Sequence, residues 1–204
     1  MRCARRARAA DAGVVKLEAV SRKEPLLAAS TVADLTSQIA QVRENPTVPY
    51  DVAKDMSLDD IGQAMAATRA ALVGAIEAAP DAAFEAQPEN SEGEEVWSVG
   101  QIVGHCNGSL VNIGGQALKA AGLDLGEPPE ALVAAAEEKI MSREDALAAA
   151  RVVNTDDFIA LLSDDENLDK TMTHDFFGVM SGRSWLYFAA MHEAEHVSQI
   201  KSLG

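Results

Sequence analysis

Toward the C-terminal end of the chain, the run His192-Glu193-Ala194-Glu195-His196 lies inside SWLYFAAMHEAEHVSQIKSLG, a segment whose apolar spacing predicts a helix. Its two histidines are four residues apart, just over one helical turn, so both rings leave the same face and can grip one metal ion. The chain has only four histidines. A third, His105, falls in another apolar-periodic segment that can lie alongside. Histidines at helical spacing are often simply solvated. Here, however, the pair shares its stripe with Trp185, Phe188, Ala189 and Leu203, and neutral imidazoles without partners fit poorly on a packing face. His105, His192 and His196 are therefore the expected metal ligands.

Three imidazoles form a neutral ligand set that leaves a divalent ion its full charge and at least one open position, the pattern of a catalytic rather than a structural site. Zinc and nickel both suit imidazole. Such an ion can lower the pKa of a bound water to about 7, and it polarises a bound thiol or carbonyl likewise. HEAEH also satisfies the HExxH pattern of zinc peptidases, with Glu193 as general base. Those enzymes usually take their third ligand downstream, but the eight residues after His196 include no Glu, Asp or His. With both histidines turned inward, Glu193 points about 100° away, and an all-α body offers no edge strand to hold a peptide.

Other candidates are fewer. Arg183, nine residues before His192, could place a guanidinium at a pocket mouth, although an Arg in a first helical turn is often just solvated. Gln199, three residues after His196, could orient a ligand or a substrate. His174, in the polar run TMTHDFF, reads as a side chain making local hydrogen bonds. Cys106 points about 100° from His105 and reads as a small core residue.

The elements that must position these groups are helical. Alanine dominates, and no strongly β-branched alternating run is present, so the class is all-α. Residues 1–30 form a basic, alanine-rich leader expected to be poorly ordered. Residues 31–56 read as a short helix and a linker broken by Pro46 and Pro49. Ser57 with Asp60 opens a first long helix that ends before Pro80, and Ser98 with Gln101 opens a second running to about Gly122. After ALVAAAEEKIM, Ser142 with Asp145 starts a third, through about Leu162, with Leu147, Phe158 and Leu161 on its buried face. THDFFGVMSGRS is a loop before the last helix. Four principal helices result.

Acidic residues outnumber basic ones 32 to 17, for a formal charge of −15. Seven of the basic residues precede residue 24, so the remainder of the chain is still more acidic. Such a surface repels a phosphate backbone, which argues against nucleic-acid binding. No apolar stretch approaches the ~20 residues that cross a bilayer. The two cysteines, Cys3 and Cys106, suggest no disulfide framework, in keeping with a reducing cytoplasm.

WSVGQIVGHCNGSL followed by FFGVMSGRSWLYFAAMHEAEHVSQIKSL resembles the DinB-like (YfiT-like) superfamily of metal-binding four-helix bundles. The resemblance covers roughly residues 57–204 and implies a DinB/YfiT-type bundle with an N-terminal extension. It also implies a His105, His192 and His196 metal triad, with Gln199 as the trailing Gln of HxxxHxxQ. Gln101 departs from a usual Glu, Cys106 from a usual aliphatic and Glu195 from a frequent His, and a carboxylate at 195 would alter the local field. Family activities imply a thiol-dependent S-transferase or isomerase that uses a mycothiol- or bacillithiol-like cofactor on a small-molecule substrate, with a homodimer as the expected assembly. The alternatives are a non-catalytic, stress-associated metal-binding bundle and an HExxH-type zinc hydrolase.

Overall fold

The computed structural model describes residues 31–85, 97–123, 142–162 and 165–204. The leader with Cys3, the ALVAAAEEKIM segment and the side chain of Leu161 lie outside the described residues.

The architecture is built around the last helix. Helices α1 (Val32–Val42), α2 (Val48–Ala53), α3 (Leu58–Ala78) and α4 (Val99–Ala120) all pack on α8 (Gly182–Lys201). Between them in the chain come α5 (Arg143–Val152), α6 (Thr155–Leu161) and α7 (Asp165–Leu168). Of these, α5 packs on α3 and α4, and α6 on α3. A helix buried on nearly every side must be apolar nearly all round. Accordingly Leu186, Tyr187, Met191, Ala194 and Val197 of α8 are fully buried. The protein is all-α, with the bundle of α3, α4, α5/α6 and α8 at its centre.

Helix starts follow the sequence signals. Thr31 with Asp34, Ser57 with Asp60 and Ser98 with Gln101 form complete capping boxes, and Ser142 accepts from the Asp145 amide. Each such cap contributes about 1 kcal/mol by satisfying an amide that the helix itself leaves orphaned. The C-terminus of α3 is closed by a residue from another element. Arg143, at the start of α5, donates to the carbonyls of Ile76 (3.0 Å), Glu77 (2.7 Å) and Ala79 (2.7 Å) and pairs with Asp81.

Three segments differ from the sequence expectations. The stretch around Pro49 is helix α2, not linker, because Pro49 lies in the first turn, where a missing N–H breaks no intrahelical bond. Residues 31–53 also belong to the core, with Leu35, Ile39, Val42 and Val48 buried in the cluster that contains Trp185 and Met191. The expected third helix divides at Asn154, whose side chain accepts from the Asp156 amide and caps α6. This break turns Phe158 onto α4 at Gly114, where a Cβ would lie 2.5 Å from the ring; only glycine leaves room for that ring position. The loop before α8 contains a short antiparallel hairpin, β1 (Thr171–His174) with β2 (Gly178–Ser181), paired from Thr171↔Ser181 to His174↔Gly178. Among the described residues, no helix is long and apolar enough to cross a membrane.

Candidate metal centre

α4 carries His105 and α8 carries His192 and His196, and the packing of these two helices brings the three rings together. His105 Nε2 lies 3.2 Å from His192 Nε2, and His192 Nε2 lies 3.3 Å from His196 Nε2. One donor atom from each ring lies within 4.8 Å of the others. His196 is buried, and the other two are half-buried. Three facing nitrogens cannot all satisfy one another by hydrogen bonding, but a shared cation satisfies them together. Metal–nitrogen distances of about 2.0–2.1 Å in a tetrahedron separate neighbouring nitrogens by about 3.3 Å, close to the two separations observed.

Protonation favours the same role. Burial, reinforced by His196 and His105, pushes His192 down from 6.5 to about 3, which keeps its ring neutral and its lone pair free. Gln199 Oε1 lies 2.7 Å from His196 Nδ1. An amide oxygen only accepts, so Nδ1 carries the proton and Nε2 presents its lone pair to the cluster. The donor set thus fits a divalent cation.

Aromatic side chains border the cluster. The Trp97 ring is 4.8 Å from that of His105 and stacks at 6.3 Å on that of His196, and Phe188 lies 6.1 Å from His192. The Ser109 Oγ is 3.3 Å from His105 Nε2. On the inner side, a narrow cleft with room for about one water reaches His192 between Thr68, Cys106, Thr155 and Glu193. Burial raises the Cys106 thiol far above its ordinary pKa, so this cysteine is a neutral core residue as expected from its position on α4.

Residues 64–200, a span that holds all three histidines, match the model of the DinB superfamily. The chain belongs to the DinB superfamily. No curated protein and no solved structure matches it.

In this DinB-superfamily protein the remaining candidates sit as follows. Arg183 donates to the Met56 carbonyl at 2.7 Å and faces Asp169 at 3.4 Å. It lies nine residues before His192, about 13 Å along the helix axis, so its observed partners join α8 to the connection between α2 and α3 and to the turn after α7. Glu195 is half-buried and outside the group of ligand atoms. The His174 Nδ1 accepts from the amides of Phe176 and Phe177 and closes the hairpin turn, the local bonding expected of it. Gln199 is the one polar candidate in contact with a ligand ring.

Glu193 faces α3. Its Oε1 is 2.6 Å from Arg69 Nη2, and its Oε2 accepts from Thr68 Oγ1 at 3.0 Å. Burial raises its carboxyl pKa, and Arg69, then Thr68, pull it partly back. Arg69 Nη1 donates to Asn107 Oδ1 at 3.0 Å, and Asn107 Nδ2 donates to the Ala149 carbonyl at 3.1 Å. Sequence reasoning missed this buried network. The one available signal was an Arg and an Asn on stripes that otherwise read as apolar.

Proposed function

We propose that the protein is a divalent-metal enzyme whose His105, His192 and His196 hold zinc or nickel and activate a low-molecular-weight thiol for S-transfer or isomerisation of a small electrophile. The observation that carries this reading is the convergence of three imidazole nitrogens with no carboxylate among them. A divalent ion held there supplies Lewis acidity that favours the thiolate form of a bound thiol. The chain's own residues do the rest. Gln199 fixes the tautomer of His196, while burial keeps His192 unprotonated. Trp97 and Phe188 present apolar walls that restrict water around the ligands. The Ser109 hydroxyl is placed to hydrogen-bond a group bound beside His105. The same reading takes a homodimer as the working form and a reducing cytoplasm as the compartment, where Cys106 remains a free thiol.

The HExxH hydrolase reading is disfavoured because both Glu193 oxygens are engaged by α3 rather than turned to the ligand nitrogens. The non-catalytic metal-binding bundle is the second reading, since the three-histidine cluster supports metal binding with or without a thiol.

Calorimetric titration of the zinc-loaded protein with glutathione, mycothiol and bacillithiol separates the two remaining readings. The enzyme reading expects at least one of these thiols to bind, and expects binding to be lost both on S-methylation of that thiol and in His105→Ala. If none of them binds, the non-catalytic bundle is the better account.

A further inference from the structure

We infer that Arg69 is a positioning residue for the metal centre, a buried fork that fixes α4 against α8 and thereby sets the His105–His192 separation. This inference rests on the three-histidine reading. It starts from an energetic anomaly. Arg69 and Glu193 are 8% and 7% exposed, and burying two charges costs several kcal/mol per ion before their attraction offsets it. Apolar residues of similar volume at such positions are often as stable or more so. The arrangement is not fully satisfied either, since the buried Arg69 Nε finds no acceptor among the described residues. Maximal stability is therefore a poor explanation for it.

Its location supplies a better one. Glu193 directly follows the ligand His192, and Asn107 lies two residues after the ligand His105. The two terminal nitrogens of Arg69 reach both residues at once, Nη2 to Glu193 Oε1 at 2.6 Å and Nη1 to Asn107 Oδ1 at 3.0 Å. Each of those partners is held by a second bond. Thr68 Oγ1 donates to Glu193 Oε2, and Asn107 Nδ2 donates to the Ala149 carbonyl on α5. The result is a link from α8 through α3 to α4 that begins and ends beside the histidines, with a further bond from Asn107 anchoring it to α5.

Such a link provides what the surrounding core cannot. Apolar burial is non-directional, and the core cluster next to this link in the chain, with Leu72 of α3, Val103 and Cys106 of α4 and Val197 of α8, is held by such burial. Packing of that kind tolerates small slides of one helix along another. Metal–ligand distances tolerate only about 0.2 Å. A planar guanidinium held at both terminal nitrogens resists the slide because its hydrogen bonds are directional.

The test uses full-length protein and zinc. Arg69→Met combined with Glu193→Gln removes both charges together and leaves neither stranded. The expected double variant keeps the metal-free thermal midpoint of wild type or exceeds it, yet binds zinc about tenfold or more weakly. Loading with cobalt(II) should give a shifted and weaker visible ligand-field spectrum, a change that a merely structural role would not produce at unchanged stability. Arg69→Lys, the second variant, keeps the charge opposite Glu193 but cannot span both partners as a fork, and its zinc affinity should fall between the other two. Wild-type zinc affinity with an unshifted cobalt spectrum in the double variant, or in Arg69→Lys if the double variant fails to fold, would overturn the inference. Failure of the metal reading is seen separately, as weak zinc binding by the wild-type chain or undiminished binding by His105→Ala. Either result removes the inference along with the reading.

Discussion

Arg69→Ala is expected to lower the stability of the metal-free protein by about 3–5 kcal/mol, because it strands the Glu193 carboxylate in the interior with the Thr68 hydroxyl as its remaining side-chain hydrogen-bond partner among the described residues. Asn107 Oδ1 loses a donor in the same step, and the missing side chain leaves a void among Thr68, Asn107 and Glu193. The total is a large share of the 5–15 kcal/mol that typically holds a domain together. Urea denaturation at neutral pH with a chelator present measures it. The paired replacement by Met and Gln should stay close to wild type on the same assay. That contrast separates the penalty of one abandoned charge from the net contribution of the pair, which is small. A loss below about 1 kcal/mol for Arg69→Ala would mean that solvent reaches Glu193 and that the pair is not buried as described.

The second large effect is a dependence of stability on acid. His192 titrates at about 3 in the folded chain against 6.5 for an ordinary histidine, chiefly through burial and secondarily through His196 and His105. The folded state thus resists the proton while the unfolded chain accepts it. The stability contributed by the neutral ring is fully present above pH 6.5 and is lost progressively as pH falls from there toward 3. A ring that keeps partial contact with solvent warrants a figure below the full linkage value, on the order of 3 kcal/mol over that window. Glu193 works in the opposite sense. Its raised carboxyl holds a proton more readily when folded, so its contribution grows as pH falls through its folded value. Comparing wild type with His192→Gln isolates the histidine. The metal-free wild type should lose more stability than the variant between pH 6.5 and 4. Parallel curves would show that the ring is not shielded from protonation.

Much of the architecture was readable from local chemistry because caps and periodicity are local signals. Ser57 with Asp60 and Ser98 with Gln101 announce their helices within four residues of sequence, and both boxes form as read. The histidine pair on α8 is local in the same sense, since i and i+4 must share a face. His105 was legible for a different reason: the chain has few histidines, and the third falls on an apolar stripe that needed a neighbour. Where competing terms were close, the reading slipped. Pro49 ends a helix in the interior of a turn ladder and is compatible with one in its first turn, and propensity alone does not say which frame applies. Asn154 sits inside a continuous helical pattern, yet its side chain captures the Asp156 amide and divides the helix in two. The Arg69–Glu193 pair lay beyond reach, because its members are 124 residues apart and neither carries a local mark of its partner. The bond from Arg183 to the Met56 carbonyl was illegible for the same reason, since a place near the histidines in sequence says nothing of a partner on another element.

The most direct test of the centre itself is metal content. Wild-type protein and His105→Ala should each be loaded with excess zinc, passed through gel filtration and assayed for bound metal by elemental analysis. In the proposed centre α8 supplies two of the three ligands and α4 the third, so wild type is expected to retain about one zinc per chain and the variant far less than that. Equal retention by both proteins, or none by either, would contradict a centre shared between His105, His192 and His196.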